Sequence, residues 1–304
     1  MKYRVIHTTE FSYDAQVGLC HNEARLQPQT LPHQQVLASA LQIDPLPHDY
    51  YERLDYFGNR TSYFSIQQPH DQLVVTATSE VEVAAPVLFD SAGSLVRESS
   101  LFDKVENLSW ESARERLRRD RSAEVIEACQ FVFDSPMVSI EELLADFARP
   151  SFLPGKPLDE AVHDLTQRIY REFKYDPEFS TLATPLHEVM EHRSGVCQDF
   201  AHLAIGCLRS QGLAARYVSG YIETEPPAGK ERLVGADASH AWCSVYAPDR
   251  GWLDFDPTNN QIPGERHITL AWGRDYTDVT PLKGVVFGGG KHTLRVAVDV
   301  RRLG

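Results

Sequence analysis

The chain has 304 residues, 42% of them hydrophobic, enough for one large domain or two ordinary ones with a sizeable core. Lys and Arg total 30 against 43 Asp and Glu, a net charge of −13 that disfavours nucleic acid and anionic membrane surfaces as partners. No apolar run approaches the ~20 residues of a membrane-spanning helix, the opening MKYRVIHTTEFSYD lacks a signal-peptide core, and five widely spaced cysteines make no disulfide framework, so a soluble cytoplasmic protein is expected.

Residues 1–95 alternate. KYRVIHTTEFSY, QVLASALQID, YERLDYFGNRTSYFSI and QLVVTATSEVEVAA are rich in Val, Thr, Tyr and Phe with short polar breaks, the pattern of half-buried strands. Phe57-Gly58-Asn59-Arg60, between two aromatic runs, reads as a hairpin turn in which Gly and Asn supply positive φ. The expectation is an N-terminal antiparallel β-sandwich without a cluster of catalytic groups.

From Leu101 onward the period becomes helical, and 96–304 is assigned to a second, catalytic domain. Ser139 and Glu142 form a capping box that opens SIEELLADFAR. Leu158, Val162, Leu165, Ile169 and Phe173 recur every three or four residues, which predicts an amphipathic helix over 157–174. Thr184-Pro185 predicts an N-cap followed by proline at the first helical position, opening PLHEVMEHR. After one buried helix at 197–211, alternation returns in ARYVSGYI, HAWCSVYA and GWLDFD. The order is that of an α+β fold, a helix packed on an antiparallel sheet, with HTLRVAVDVRRL at 292–303 as the strand expected to close that sheet.

Chemistry enters at RSGVCQDFAHLAIGCLRSQG. Core packing explains Cys207, which stands among Phe200, Leu203, Ala204 and Leu208. It explains Cys197 poorly, because Gly195-Val196 breaks the chain ahead of it and leaves the thiol at a helix start. There the dipole and unpaired backbone N–H groups favour a thiolate. A disulfide between the two fails: ten helical residues separate them by ~15 Å, against the ~7 Å limit between Cα atoms. A metal site fits no better. His187 and His192 lie five apart rather than the four a zinc-binding helix needs, and His240 and Cys243 fall on opposite faces of a strand.

A nucleophile needs a base, and the base an orienting group. In ASHAWCSVYAPDRGWLDFDPTNN, His240 opens a strand and Asp256 closes the next, before a proline that cannot donate to a ladder. Strand parity makes this testable. If Asp256 accepts a hydrogen bond from His240, paired residue numbers must add to an even total, as with 240 opposite 256. That requires a loop with an odd number of residues within 247–251, Gly251 taking positive φ, and it sends Cys243 to the other face.

GVCQDFAHL, ARYVSGY, SHAWCSVY and GWLDFDPTN, in that order, resemble the transglutaminase-like core, a circularly rearranged relative of the papain fold. The resemblance covers about 157–262, and residues 1 to about 90 resemble the N-terminal domain often attached to bacterial members. It implies that Cys197 is the nucleophile, His240 its general base and Asp256 the group that holds His240, with Asp254 as the fallback. Papain-type enzymes carry a glutamine shortly before the cysteine as an oxyanion donor, but Glu191-His192-Arg193-Ser194 holds none. Gln198 follows the nucleophile and points elsewhere, so the oxyanion is assigned to the Cys197 backbone N–H and a second donor. Gln198 and Trp242 are the candidate cleft residues, Trp242 being equally a core aromatic. The loop TEPPAGKERLVGADAS (224–239) precedes His240 as a candidate lid.

The expected activity is that of a cytoplasmic thiol amidase or peptidase acting on a peptide or protein amide. No cofactor or metal is called for, and neither nucleic acid nor membrane is a partner. Two alternatives stand beside it: a protein-glutamine transglutaminase, in which an amine takes the acyl group, and a non-catalytic binding module on the same fold.

Overall fold

In the computed structural model, the residues described are 1–85, 88–89, 95–96, 108–181, 184–224, 239–248 and 250–303. The β domain is built around one strand, β1 (Lys2–Ala24), 23 residues long. Its first half pairs with β5 (His70–Val83) on one side, and its second half with β4 (Arg60–Ile66). A register shift between Ser12 and Val17 marks where one half gives way to the other. β2 (Gln34–Asp44) extends the first limb from β5, and β3 (Asp49–Leu54) extends the second from β4. The two layers expected of a sandwich are thus limbs of one continuous antiparallel sheet. Val17, Cys20, Ile43, Phe64, Ile66, Leu73 and Val75, drawn from both limbs, share one buried cluster. The β3–β4 hairpin turns where expected, but only Gly58, at φ 82°, takes positive φ; Asn59 does not. Asp55 Oδ1 accepts the backbone N–H groups of Phe57 and Asn59 there.

The last strand departs from expectation. β15 (His292–Leu303) does not close the catalytic sheet; it pairs along β1 from Lys2↔Leu303 to Tyr13↔His292. β14 (Leu282–Gly288) likewise pairs with the second half of β1. Both ends of the chain therefore lie in one sheet, and the catalytic region is inserted between β5 and β14. The physical reason lies at two edges. β1 offered a free edge with matching alternation, so that Tyr3, Val5, Val298 and Val300 are buried together. The outer edge of the catalytic sheet was already occupied by side chains: the Gln34 amide pairs with the N–H and C=O of Thr269, and the Asn59 amide with those of Trp272.

Beyond the short pair β6 (Leu88–Phe89) and β7 (Leu95–Val96), the inserted region opens with α1 (Trp110–Arg119), α2 (Ala123–Cys129), α3 (Glu142–Ala148) and α4 (Leu158–Glu172). Ser109 caps α1 by accepting from Ser112 N–H. α3 starts at Glu142 rather than behind a Ser139 cap, because Asp134 Oδ1 takes the Ile140 N–H and holds that stretch in a turn. α4 matches its predicted stripe and buries Leu158, Val162, Leu165 and Ile169. α5 (Leu186–His192) begins behind Pro185, one residue later than predicted, since the Thr184 hydroxyl accepts from Thr181 N–H instead of capping it. α6 (Cys197–Ser210) is buried along nearly its whole length.

α6 packs on a four-stranded antiparallel sheet in the order β12 (Gly251–Phe255), β11 (Ser239–Ala247), β10 (Ala215–Ile222), β13 (His267–Gly273). Ala241, Cys243, Val245, Tyr217 and Tyr221 join Phe200, Leu203, Ala204 and Cys207 of α6 in the largest core cluster. The short helix α7 (Tyr276–Val279) follows β13. No helix among the described residues is long and apolar enough to cross a membrane.

Candidate active site

The segment that delivers the thiol is short and constrained. β8 (Lys174–Tyr175) pairs in parallel with β9 (Ser194–Gly195), and Val196 is the N-cap of α6. Asp199, in the first turn, folds back so that its Oδ2 accepts Val196 N–H at 2.8 Å and the Ser180 hydroxyl. This return needs Gly195, where a Cβ would stand 2.8 Å from that carboxylate oxygen. Cys197 is the first residue of α6 and only partly buried. Its backbone N–H, like others of the first turn, has no intrahelical acceptor. Gln198 beside it is buried.

The partner groups come from the β11–β12 hairpin. Ala247 pairs with Gly251 across residues 248–250, an odd loop, and Gly251 takes φ 76°. The ladder runs Val245↔Leu253 and Cys243↔Phe255, totals that are even, as required. It is two residues off the 240↔256 pairing expected, an even shift that keeps the parity, so Asp256 lies just past the strand end on the face shared by His240. His240 Nε2 stands 2.7 Å from Asp256 Oδ2. The Cys197 thiol lies close enough to His240 to act on the ring together with Asp256. Cys243 is fully buried on the other face. Asp254 pairs across to Ser244 and stays half-buried, away from this contact.

Asp256 is fully buried and surrounded by donors. Its Oδ1 accepts the N–H groups of Thr258 and Asn259, while its Oδ2 accepts from the Asn259 amide at 2.7 Å. Burial would raise its pKa, but the hydrogen bonds from His240, His267 and Asn259 hold the carboxyl well below the usual carboxylate range. Burial also opposes a charged His240 ring. The hydrogen bonds to Asp256 and then Cys197, with their charges, reverse this and push its pKa up to about 10. The arrangement thus favours an imidazolium at neutral pH.

His267 was not anticipated. It opens β13 and brings its Nε2 to 3.2 Å from Asp256 Oδ2. Alternation would have placed it only if the β10–β13 register were regular, and that register shifts between Ser219 and Gly220. Trp242 is fully buried, edge-on to His267 with ring centroids 5.3 Å apart. It therefore backs the His–Asp network and presents no face to a cleft. Gly220 makes room for it, since a Cβ there would lie 2.5 Å from the Trp242 ring. His240, Asp256 and His267 are a group whose ligand atoms lie within 4.8 Å of one another. An ionised carboxylate only accepts, so both imidazoles spend an Nε2–H on Asp256 and offer no lone pair there. Most of the candidate lid, 225–238, lies outside the described residues.

With a helix-borne thiol meeting a strand-borne imidazole and a buried carboxylate, comparison with known proteins is decisive. Residues 146–257 match the transglutaminase-like superfamily, and 3–82 match the bacterial transglutaminase-like N-terminal region. The chain belongs to the transglutaminase-like superfamily. An uncharacterized protein of Mycobacterium tuberculosis is 40% identical to this transglutaminase-like chain over 306 residues, covering 98% of this chain and 92% of that protein. A protein-glutamine gamma-glutamyltransferase of Pseudomonas aeruginosa is 32% identical over 138 residues, 41% of this chain and 20% of that protein. A solved structure from Cytophaga hutchinsonii, provisionally designated a cysteine protease, superposes with a TM-score of 0.73 at 18% identity, covering 100% of this chain and 91% of that one. The transglutaminase-like fold is accordingly that of a cysteine-based catalytic protein.

Proposed function

We propose that the chain is a cytoplasmic thiol amidase or peptidase in which Cys197 is the nucleophile, His240 the acid–base group and Asp256 its orienting partner. The observation that carries this reading is the buried Asp256–His240 hydrogen bond at 2.7 Å, on a ring whose charged form the nearby Cys197 also favours. The carboxylate holds Nε2–H, which leaves the other ring nitrogen to exchange a proton with sulfur. The thiolate attacks the carbonyl carbon of a carboxamide, and the C=O bond opens to an oxyanion stabilised by the Cys197 N–H at the start of α6. His240 gives its proton to the departing amine as the C–N bond breaks, leaving a thioester. Water, losing a proton to His240, then attacks the thioester, releasing the acid and restoring the thiol. The five cysteines are free, which suits a reducing compartment.

The relation to a protein-glutamine gamma-glutamyltransferase supports a second reading, in which an amine replaces water in the last step. A binding module with no turnover has less support, since a scaffold needs no thiol beside a hydrogen-bonded imidazole and carboxylate. Incubation with an activated glutamine or peptide ester, followed by mass spectrometry, is the test. An acyl adduct on Cys197 that water clears is expected. Clearance only with added amine would favour the transglutaminase, and no adduct at all would overturn both.

A further inference from the structure

Building on the Cys197–His240–Asp256 reading, we infer that His267 is a positioning residue for the reaction, holding Asp256 in line with His240 from the opposite side. The argument starts from its tautomer. Gly264 N–H donates to His267 Nδ1 at 3.4 Å, so that nitrogen carries the lone pair and Nε2 carries the proton. Nε2–H is then committed to Asp256 Oδ2 at 3.2 Å. His267 therefore works as a neutral, one-way donor, whereas His240, across the same oxygen, must gain and lose a proton on its other nitrogen. The two rings lie 6.1 Å apart and share one acceptor.

Its surroundings are built to keep it there. His267 is 4% exposed, so its hydrogen bond meets little competition from water. Trp242 braces the ring edge-on at an interplanar angle of 83°. Two residues along β13, the Gln34 amide of the β domain clamps both backbone groups of Thr269. The β domain thereby helps to fix the strand that carries His267, one of several links between the two halves of the molecule. Without His267, Asp256 Oδ2 loses one of three side-chain donors and can swing within the 256–261 turn, taking the His240 ring with it.

The test is a matched set of variants in the full chain. His267→Phe keeps a ring but removes the donor, and His267→Asn is too short to reach Asp256; each should lower kcat about tenfold with KM unchanged, the scale of one hydrogen bond to a charged group. His267→Gln, whose amide nitrogen reaches the Nε2 position, should restore kcat to within about twofold of wild type. In an Asp256→Asn background, His267→Phe should cost less than about twofold more, because the residue acts only through that carboxylate. The low-field proton resonance of His240 Nε2–H should shift in His267→Phe and return in His267→Gln, a signature that needs no turnover. An inactive wild type would count against the proposed acyl transfer, with this signal still deciding the role of His267. Equal impairment of the Gln and Phe variants, a full tenfold loss in the Asp256→Asn background, or an unmoved resonance would overturn the inference.

Discussion

On β11, Ala241, Cys243 and Val245 enter the apolar core beneath α6, whereas His240, Trp242, Ser244 and Tyr246 turn to the other face. There the Arg216 guanidinium lies 4.3 Å from the rings of both Trp252 and Trp272, and Arg216 Nε, Trp242 Nε1 and Ser244 Oγ are buried without a hydrogen-bond partner. Alternate residues of one strand thus serve the packing and the polar network. Two thiols measure the difference. Cys243, three residues from His240, has its thiol pushed up chiefly by burial, with Asp254 and Asp256 adding to it. Cys197, at a helix start, meets the imidazole instead. Closeness in sequence to His240 does not bring a thiol to the imidazole: Cys243 projects from the far face of the strand, and Cys197 arrives on a different element. A rigid ladder separates the two environments by one residue, so chemistry is held by the same backbone that the core holds.

The largest expected effect falls on the polar face. His240→Ala should lower acyl transfer by at least about a thousandfold, while Asp256→Ala should leave measurable activity, since the members of a triad act as a unit but the orienting acid costs less. Wild-type rates in His240→Ala, measured by ester turnover, would break the comparison.

On the apolar face, Val245→Ala should cost about 2 kcal/mol of stability in chemical denaturation with kcat unchanged, the transfer and cavity cost of two buried methyl groups. Ser244→Ala, one residue along, should leave the denaturation midpoint unchanged or raise it slightly, because it removes a buried hydroxyl that has no partner. A large loss in Ser244→Ala would mean that the two faces are not energetically distinct.

A further effect is a pH dependence of stability. The folded-state pKa of His240, about 10, lies above the ~6.5 of an unfolded histidine. Its contribution is therefore complete below pH ~6.5 and is lost as the pH rises through about 10. The Tm gap between wild type and His240→Ala should narrow over that window. A gap that stays flat would show that the ring is not charged in the native state.

Much of this was legible because it is local. The 3.6-residue stripe of α4 and the two-residue alternation of β10 to β12 follow from side-chain geometry within each element. Gly251 and its odd loop determine which residues of the hairpin share a face, so Asp256 could be matched to His240 across sixteen positions. Even there the pairing slipped by two residues, because parity constrains the face and not the partner. Cap positions were less legible: Ser139 and Thr184 lost their predicted roles to competing contacts with neighbouring turns, which no local rule ranks.

The sequence by itself determined the helix-borne thiol, the shared face of His240 and Asp256, and the β-rich character of the first domain. Only the tertiary structure decided the rest. β15 could have paired with any free edge, since backbone hydrogen-bonding groups are the same in every strand; it joined β1 because that edge was open and the edge of β13 was taken by Gln34 and Asn59. His267 reached Asp256 through a register shift between Ser219 and Gly220, and one displaced residue inverts the parity on which any sequence argument for that strand depends.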